Sequence, residues 1–331
     1  MQAIVFDDFG GPEVLVPRET ARPEVRPHDL LVRNVSIGVN RADMSHRKGA
    51  YGRAFFGDSD IMGLEIAGTV VDFGPEVEGF SVGDRVMGIV GGGAYAEFSR
   101  IDYRMAMPVP ESLRLVDAGA IAEVFVTAHE ALFHLGRLQA GESVLIHAAA
   151  GGVGSAAVQL AHAAGARVFA TTGGDKREAV RGFGADEVID YRTEDFQTVV
   201  TEKTGGKGVD VVIDFIGASY LERNVRSLAV GGRMVVVGLL GGAAGATLPM
   251  DAVLYRHLQI FGTVMKSRPP EVKQAMTRRF AERWLNAFAI GTLRPVIDST
   301  YPLAEAAQAH RRMETGESVG KILLLPEPEP R

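Results

Sequence analysis

A glycine-rich turn is the strongest chemical signal in the sequence. An apolar stretch, residues 144–147, leads directly into Gly151, Gly152 and Gly154, and a helical pattern follows. The first two glycines permit a tight turn and a close approach of the backbone to a diphosphate, and the third lets the helix pack near the strand. The free N–H groups and the positive end of the helix dipole then face the anion. We therefore predict a dinucleotide site here.

The end of the following strand decides which dinucleotide is favoured. NAD-specific sites usually place an acid there to hold the ribose 2′-hydroxyl. In this chain Gly173 lies at the strand tip, and Lys176 and Arg177 follow with the positive charge that a 2′-phosphate requires. Two roles stay open for Asp175, since it can bind the ribose or cap the next helix. The balance of charges favours NADPH.

Two regions with different patterns of predicted strands and helices must position this turn. Residues 1–122 read as short strands separated by Gly/Pro turns, which predicts a mostly antiparallel β domain. Residues 123–265 alternate apolar strands with helices, which predicts a parallel sheet buried on both faces. Residues 266–331 begin with a long helix over 271–290 and are expected to return to the first domain. The predicted fold class is α/β, with a doubly wound parallel sheet and a second, mostly antiparallel domain.

Composition narrows the function classes. The 331 residues have room for two domains, and the absence of cysteine excludes disulfides and thiolate-rich zinc sites. A net charge of −6 argues against nucleic-acid binding, which needs clustered Lys and Arg. A signal peptide is not expected, because the sequence does not start with basic residues followed by a long apolar stretch. No apolar run approaches the roughly 20 residues of a membrane helix. We expect a soluble, cytoplasmic protein.

The motifs resemble those of a known family. The chain is similar to the medium-chain dehydrogenases/reductases, in their zeta-crystallin-like quinone oxidoreductase branch, over nearly its whole length. The nucleotide signature of that branch matches residues 141–159, and His162 departs from it on the helix surface. Residues 40–43 and 49–51 look like the substrate-site segments of the tumour-suppressor-inducible quinone reductase subgroup.

This resemblance implies a GroES-like catalytic domain beside a Rossmann domain and a homodimer in which the last strand, near residues 258–264, pairs across a two-fold axis. It also implies roles for individual residues in NADPH binding. Phosphate contacts fall to the turn, 2′-phosphate contacts to the ends of the second and third strands, and nicotinamide contacts to three further segments. The implied cofactor-binding residues are Gly151, Gly152, Val153, Gly154, Gly173, Lys176, Tyr191, Thr127, Ile216, Gly217, Gly238 and Leu239.

A catalytic zinc is not expected. Zinc-containing relatives use a cysteine and a His-Glu pair, whereas this chain has Asn40 at the first position and Leu64 before Glu65. Leucine offers zinc no donor atom. His129 and His134 are five residues apart and would diverge by about 140° on an α-helix, so they are not expected to share a metal.

A metal-free site favours an electron-poor acceptor. Without a Lewis acid, oxidation of a simple alcohol is difficult, whereas a quinone accepts a hydride with little help. The protein must then supply orientation and a hydrogen-bond donor near the developing oxyanion, and we predict Tyr51 and Asn40 as these catalytic groups. Asp43, Arg53 and Phe55 are predicted to contact the substrate, with ordinary core packing as the alternative for Phe55.

Other functions stay open at this level. The same hydride geometry suits reduction of α,β-unsaturated carbonyls, including enoyl thioesters. A zinc-type alcohol dehydrogenase is a third reading, against which the missing ligands argue. A non-catalytic NADPH-binding protein, as in the lens crystallins of this branch, comes from a different functional class. All of these readings require a small-molecule ligand and neither nucleic acid nor membrane.

Overall fold

The computed structural model describes residues 1–50, 59 and 61–326, which fall into two compact units. One unit comprises Met1–Val126 with Lys266–Arg331, and the other comprises Thr127–Met265. In chain order the strands are β1 (Gln2–Val5), β2 (Val16–Glu19), β3 (Asp29–Val39), β4 (Glu65–Phe73), β5 (Arg85–Ile89), β6 (Phe98–Asp102), β7 (Ala106–Pro108), β8 (Ser143–Ile146), β9 (Arg167–Thr172), β10 (Glu187–Asp190), β11 (Val209–Asp214), β12 (Leu228–Val236), β13 (Gln259–Gly262), β14 (Ile297–Pro302) and β15 (Lys321–Leu325).

The helices lie between these strands. In chain order they are α1 (Arg41–Arg47), α2 (Leu115–Ala118), α3 (Ala122–His129), α4 (Gly152–Ala163), α5 (Arg177–Gly182), α6 (Phe196–Lys203), α7 (Leu221–Ser227), α8 (Met250–Tyr255), α9 (Pro270–Ala289) and α10 (Ala306–Glu314). After α3 the chain continues through Glu130–Leu135 as a π-helix.

The unit formed by residues 127–265 is built on a six-stranded parallel sheet. The strand order is β10-β9-β8-β11-β12-β13. Counted from β8 this is the order 3-2-1-4-5-6 of the doubly wound dinucleotide-binding fold. Apolar strands form because both faces of the sheet are covered, and Leu145, Phe169 and Val212 are fully buried. The predicted doubly wound α/β class is confirmed.

The other unit carries a mainly antiparallel sheet. Its strands run in the order β14-β15-β3-β4-β5-β7, with β6 also paired to β3 and only the pair β14–β15 parallel. β15 comes from the far end of the chain and pairs with the end of β3, where Ile322 faces Val39. This pairing brings residues near 320 beside residues near 40.

Several element boundaries differ from the sequence-based expectations. The long helix α9 begins and ends one residue earlier than predicted. The last strand of the parallel sheet is confined to Gln259–Gly262, shorter than the expected segment near residues 258–264. Strand ends are set by the register with the neighbouring strand, which apolar content alone does not specify.

Candidate functional site

The turn between β8 and α4 has the geometry of an anion site. α4 begins at Gly152 after Gly151, and no side chain caps it. Ala148 adopts φ of 47°, a left-handed conformation that is uncommon for a residue with a side chain. A Cβ at Gly154 would lie 2.3 Å from the carbonyl oxygen of Ala148, so only glycine fits there. The first N–H groups of α4 are therefore left for an anionic ligand.

A buried histidine stabilises the strand ends beside this turn. His147 is fully buried, with Nδ1 2.9 Å from Thr171 Oγ1 and Nε2 2.7 Å from Asn224 Oδ1. Burial lowers the pKa of His147 to about 4, so the ring is neutral at pH 7. The contacts join the ends of β8 and β9 to α7. Sequence reasoning treated His147 only as part of the strand.

The loops after β11 and β12 bring four predicted residues together. The Gly241 N–H donates to Ile216 O at 2.7 Å, and Gly217 has φ of 83°. A Cβ at Gly217 would lie 2.7 Å from Leu239 Cδ2. The predicted pairs Ile216–Gly217 and Gly238–Leu239 are thus neighbours. They lie at the carboxyl end of β11, next to β8, where the strand order reverses and ligands bind in this fold.

Asp214 fixes the first of these loops. Its carboxylate accepts the N–H of Ile216 at 2.8 Å and the N–H of Gly217 at 3.1 Å. Burial raises the pKa of Asp214 to about 6, and the backbone donors oppose this rise. The backbone of the loop is consequently held by a side chain at the strand end.

The ends of β9 and β10 assemble the residues predicted at the 2′-phosphate. The Tyr191 N–H donates to Thr172 O at 3.2 Å, and the Lys176 N–H donates to Gly173 O at 3.0 Å. Arg192, which the sequence analysis did not single out, extends its guanidinium to Asp175 at 3.4 Å. A Cβ at Gly173 would lie 3.2 Å from this guanidinium. The sequence signal for Arg192 was a basic residue directly after Tyr191, at the end of the third strand.

In the other unit, a buried polar network surrounds Asp43. Asp43 Oδ2 accepts the Asn40 N–H at 2.8 Å and the Tyr95 hydroxyl at 3.2 Å, and Asp43 is fully buried. Burial raises the pKa of Asp43 to about 7, and the charge of Lys321 opposes the rise. The other carboxylate oxygen of Asp43 has no hydrogen-bond partner within the described part of the chain.

The network continues to the protein surface through His310. Arg47 Nη1 lies 3.1 Å from His310 Nδ1, and His310 Nε2 lies 2.9 Å from the Tyr95 hydroxyl. Since arginine has no acceptor, Nδ1 must accept and Nε2 must carry the hydrogen that is donated to Tyr95. Burial lowers the pKa of His310 to about 3, which keeps the ring in this neutral form. Arg47 also bonds Glu314.

At Asn40, where zinc-containing relatives carry the first zinc ligand, the polar side chains bond to one another. Lys321 Nζ lies 2.8 Å from Glu65 Oε2 and donates to Asn40 Oδ1 at 2.5 Å. Asn40 Nδ2 donates to Gly38 O at 3.1 Å and to Glu65 Oε2 at 3.2 Å. These oxygens face a lysine ammonium, and Leu64 adds no donor, so the residues do not fit zinc. Asn40 as a donor to substrate stays a prediction, which requires that Nδ2 release one partner.

His129 is the last residue of α3, and His134 lies in the π-helix that follows. The prediction that they diverge on an α-helix was wrong, because the chain from Glu130 is a π-helix in which the Gly136 N–H bonds Ala131 O, five residues back. Residues five apart therefore share a face more closely than assumed. Within residues 1–50, 59 and 61–326, no group of three or more His, Asp or Glu side chains is placed to hold a metal ion.

Three predicted residues fall outside the description. Tyr51, Arg53 and Phe55 lie outside the described residues. Thr127, by contrast, is 9% exposed, and its hydroxyl has no hydrogen-bond partner among the residues described.

Among the helices of the described residues, none has both the length and the apolar character needed to cross a bilayer.

Family models match both parts of the chain. Residues 26–111 match the alcohol dehydrogenase GroES-like domain, and residues 152–282 match the zinc-binding dehydrogenase family. The second match begins at Gly152, within the glycine turn, and includes β9 to β13 of the parallel sheet. The family description names zinc, whereas the side chains around Asn40 in this chain do not fit that ion.

Individual relatives match nearly the full length. Quinone oxidoreductase of Rattus norvegicus is 35% identical over 330 residues, covering 98% of both chains. A solved NAD-dependent alcohol dehydrogenase is 33% identical with a TM-score of 0.87, covering 98% of this chain and 99% of its own. The Escherichia coli quinone oxidoreductase complexed with NADPH is 30% identical with a TM-score of 0.88, covering 98% and 100%. The chain therefore belongs to the medium-chain dehydrogenase/reductase superfamily, in its zeta-crystallin-like quinone oxidoreductase branch.

Proposed function

We propose that this protein is a zinc-independent NADPH:quinone oxidoreductase. The observation that carries the proposal is the Lys321 ammonium, which donates hydrogen bonds to oxygens of both Asn40 and Glu65. Dehydrogenation of an alcohol relies on a metal to lower the pKa of the hydroxyl, and this donor set does not provide for one. A quinone is already electron-poor and needs only a hydride, a proton and correct orientation. The similarity to quinone oxidoreductases over nearly the full chain supports the same acceptor.

The parallel-sheet unit holds the coenzyme. NADPH, when bound, supplies the hydride. The turn residues Gly151, Gly152 and Val153 contact its diphosphate, and Gly154 permits the close approach of the helix. Lys176 and Tyr191, beside Gly173, bind the 2′-phosphate. The nicotinamide contacts come from the Thr127 hydroxyl and from the two neighbouring loops, Ile216–Gly217 and Gly238–Leu239.

The antiparallel unit supplies the substrate groups. Tyr51 and Asn40 stabilise the oxyanion that forms as the quinone is reduced, and Arg53 and Phe55 contact the acceptor. Asp43 is held against Asn40 and Tyr95, so its contribution is to fix the start of α1. The substrate is a small molecule. The cytoplasm, whose reducing conditions suit a chain without cysteine, is the proposed location.

We also propose a homodimer formed through β13. This strand lies at the outer edge of the six-stranded sheet, and Ile260 on it is 38% exposed. Apolar residues of the preceding helix α8 are also exposed, with Tyr255 at 77% and Leu254 at 65%. An uncovered edge strand with apolar neighbours is suited to pairing with a second copy.

A panel of acceptors tests the activity. NADPH oxidation is followed by absorbance with 1,4-benzoquinone, 9,10-phenanthrenequinone and a series of alkenals. We expect turnover with the quinones and little with the alkenals. The reverse pattern would establish an enone reductase instead, and no turnover with any acceptor despite tight NADPH binding would indicate a binding protein. Oxidation of simple alcohols that depends on added zinc would contradict the proposal.

A further inference from the structure

Three strands bring one buried cation to the centre of the Asn40 cluster. Asn40 follows the end of β3, Glu65 begins β4 and Lys321 begins β15. The Lys321 ammonium has three acceptors: Val39 O at 2.9 Å, Asn40 Oδ1 at 2.5 Å and Glu65 Oε2 at 2.8 Å. An ammonium has three hydrogens, so its bonding capacity is filled.

These contacts fix the Asn40 amide in one orientation. Oδ1 faces the ammonium, and Nδ2 faces the oxygens of Gly38 and Glu65. The opposite orientation would point the amide hydrogens at the lysine hydrogens. Without the ammonium, Oδ1 loses its hydrogen-bond partner, and only Gly38 O and Glu65 Oε2 still hold the amide through Nδ2.

Glu65 is fixed in the same way from both carboxylate oxygens. Oε1 accepts the Glu123 N–H at 2.8 Å, while Oε2 accepts from Lys321 and Asn40. A Cβ on Gly38 would lie 2.1 Å from Glu65 Oε2, so the strand carries a glycine where the carboxylate lies. The space is shaped for this carboxylate.

Because Lys321, Asn40 and Glu65 are buried, a gain in stability alone does not explain this ion pair. Lys321 is 3% exposed, Asn40 4% and Glu65 0%. Desolvation of two charges offsets most of their attraction, and such pairs are often replaceable by apolar residues without loss of stability. Their clearer benefit is a defined geometry for the groups they touch.

We infer that Lys321 is a positioning residue of the active site, a built-in cation that orients Asn40 and Glu65. Its effect reaches the substrate through Asn40, so the inference rests on the proposed function. Unlike a bound ion, this cation belongs to the chain and is not removed by chelators.

The test compares three variants in the full-length protein. Lys321→Met removes the charge, Lys321→Arg keeps it, and Glu65→Gln with Lys321→Met removes both charges together. Thermal unfolding, the dissociation constant of NADPH, and kcat and KM for a quinone are measured for each. Lys321→Met is expected to unfold at a lower temperature, because it leaves the Glu65 carboxylate buried without its partner.

The double variant separates positioning from folding. It is expected to recover most of the thermal stability while kcat stays about 10-fold to 100-fold below that of the parent, a loss typical of a misplaced catalytic group. Lys321→Arg should retain more of kcat than Lys321→Met. NADPH binding should be unchanged throughout, since the glycine turn lies in the other unit. Recovery of both stability and kcat in the double variant would overturn the inference.

Failure of the proposed function has a different signature. If the parent turns over no acceptor, the inference is read from crystal structures of the parent and the double variant. Rotation or loss of order of the Asn40 amide in the double variant supports a positioning role. An unchanged Asn40 amide overturns it.

Discussion

Individual side chains in this protein are fixed largely by partners far away in sequence. The glycines of the turn were predicted because their signal is local, a strand followed at once by Gly151, Gly152 and Gly154. Lys321 was missed because its partner Asn40 lies 281 positions away and its own neighbours read only as an apolar strand. His310 contacts Tyr95 over a separation of 215 positions and was missed for the same reason. A single sequence without register carries no signal for such contacts.

At the 2′-phosphate, Lys176 gives a prediction about coenzyme choice. Lys176→Ala should raise the dissociation constant of NADPH at least about tenfold and leave that of NADH nearly unchanged, because only NADPH presents a charge-assisted contact to the lysine. Fluorescence titration with both coenzymes measures the ratio. Lys207→Ala removes an equal charge from an exposed loop and serves as the matched control. An equal loss for NADPH and NADH would contradict the assignment.

The buried carboxyl of Asp43 predicts a pH dependence of stability. An acid whose pKa is higher in the folded chain favours folding below its unfolded pKa, near 4, and this contribution is lost as the pH rises through the folded value of about 7. Asp43→Asn should therefore flatten the fall in unfolding free energy between about pH 4 and pH 7, by about 1.4 kcal/mol for each unit of pKa shift. Urea unfolding at several pH values measures this.

Other buried titratable groups also contribute to the pH dependence of the unfolding free energy. Burial also raises the pKa of Glu123 to about 7, which acts in the same direction. The lowered pKa values of His147 and His310 act in the opposite direction below about pH 6.5, because the unfolded chain binds protons that the folded chain does not. Only the difference between parent and variant isolates Asp43. Asp251→Asn, at an exposed carboxylate, is the matched control substitution.

Among the elements, regular periodicity was readable and local irregularity was not. Helix α9 was predicted to within one residue at each end, because Pro269 and Pro270 mark its start and its length gives a long repeat. The π-helix at Glu130–Leu135 was not predicted, since its one-residue insertion leaves no composition signal. The same holds for Ala148, whose left-handed backbone is imposed by the packing of the turn.

The close packing of β8 and α4 gives a prediction at Gly154. Gly154→Ala places a methyl group 2.3 Å from the Ala148 carbonyl oxygen, so the turn must shift. We expect the dissociation constant of NADPH to rise by about tenfold or more, because the N–H groups of α4 then miss the diphosphate. Calorimetric titration measures it.

A second glycine provides the control for this substitution. A Cβ at Gly182, the last residue of α5, would meet no atom within 4 Å. Gly182→Ala should bind NADPH like the parent and gain up to about 0.5–1 kcal/mol of stability from lower chain entropy in the unfolded state. If both variants bind NADPH equally, the turn does not hold the coenzyme as proposed.

For the whole molecule, the sequence predicted the fold class but left assembly to family resemblance. Continuous apolar strands between helices suffice to predict a parallel sheet, and that prediction is confirmed by the order of β8 to β13. Association depends on which edge is uncovered, a property of the sheet and not of any one strand. Only the structure shows that β13 occupies the edge.

This edge gives a prediction about oligomeric state. Ile260→Lys introduces a charge in the middle of β13 and should convert the proposed dimer to a monomer, as read by light scattering during size exclusion. Val230→Lys is the control, because Val230 is 73% exposed and lies on β12 instead. A parent that elutes as a monomer, or a dimer insensitive to Ile260→Lys, would contradict the proposal.

The pairing of β15 with β3 has a consequence for biosynthesis. The ribosome makes residues 29–39 early and residues 321–325 only after all six strands of the parallel sheet. Until that last stretch emerges, Asn40 and Glu65 lack their ammonium and β3 lacks one neighbour. All strands of the coenzyme-binding unit therefore precede β15 in the order of synthesis, whereas the Asn40 cluster is completed only by one of the last segments to be made.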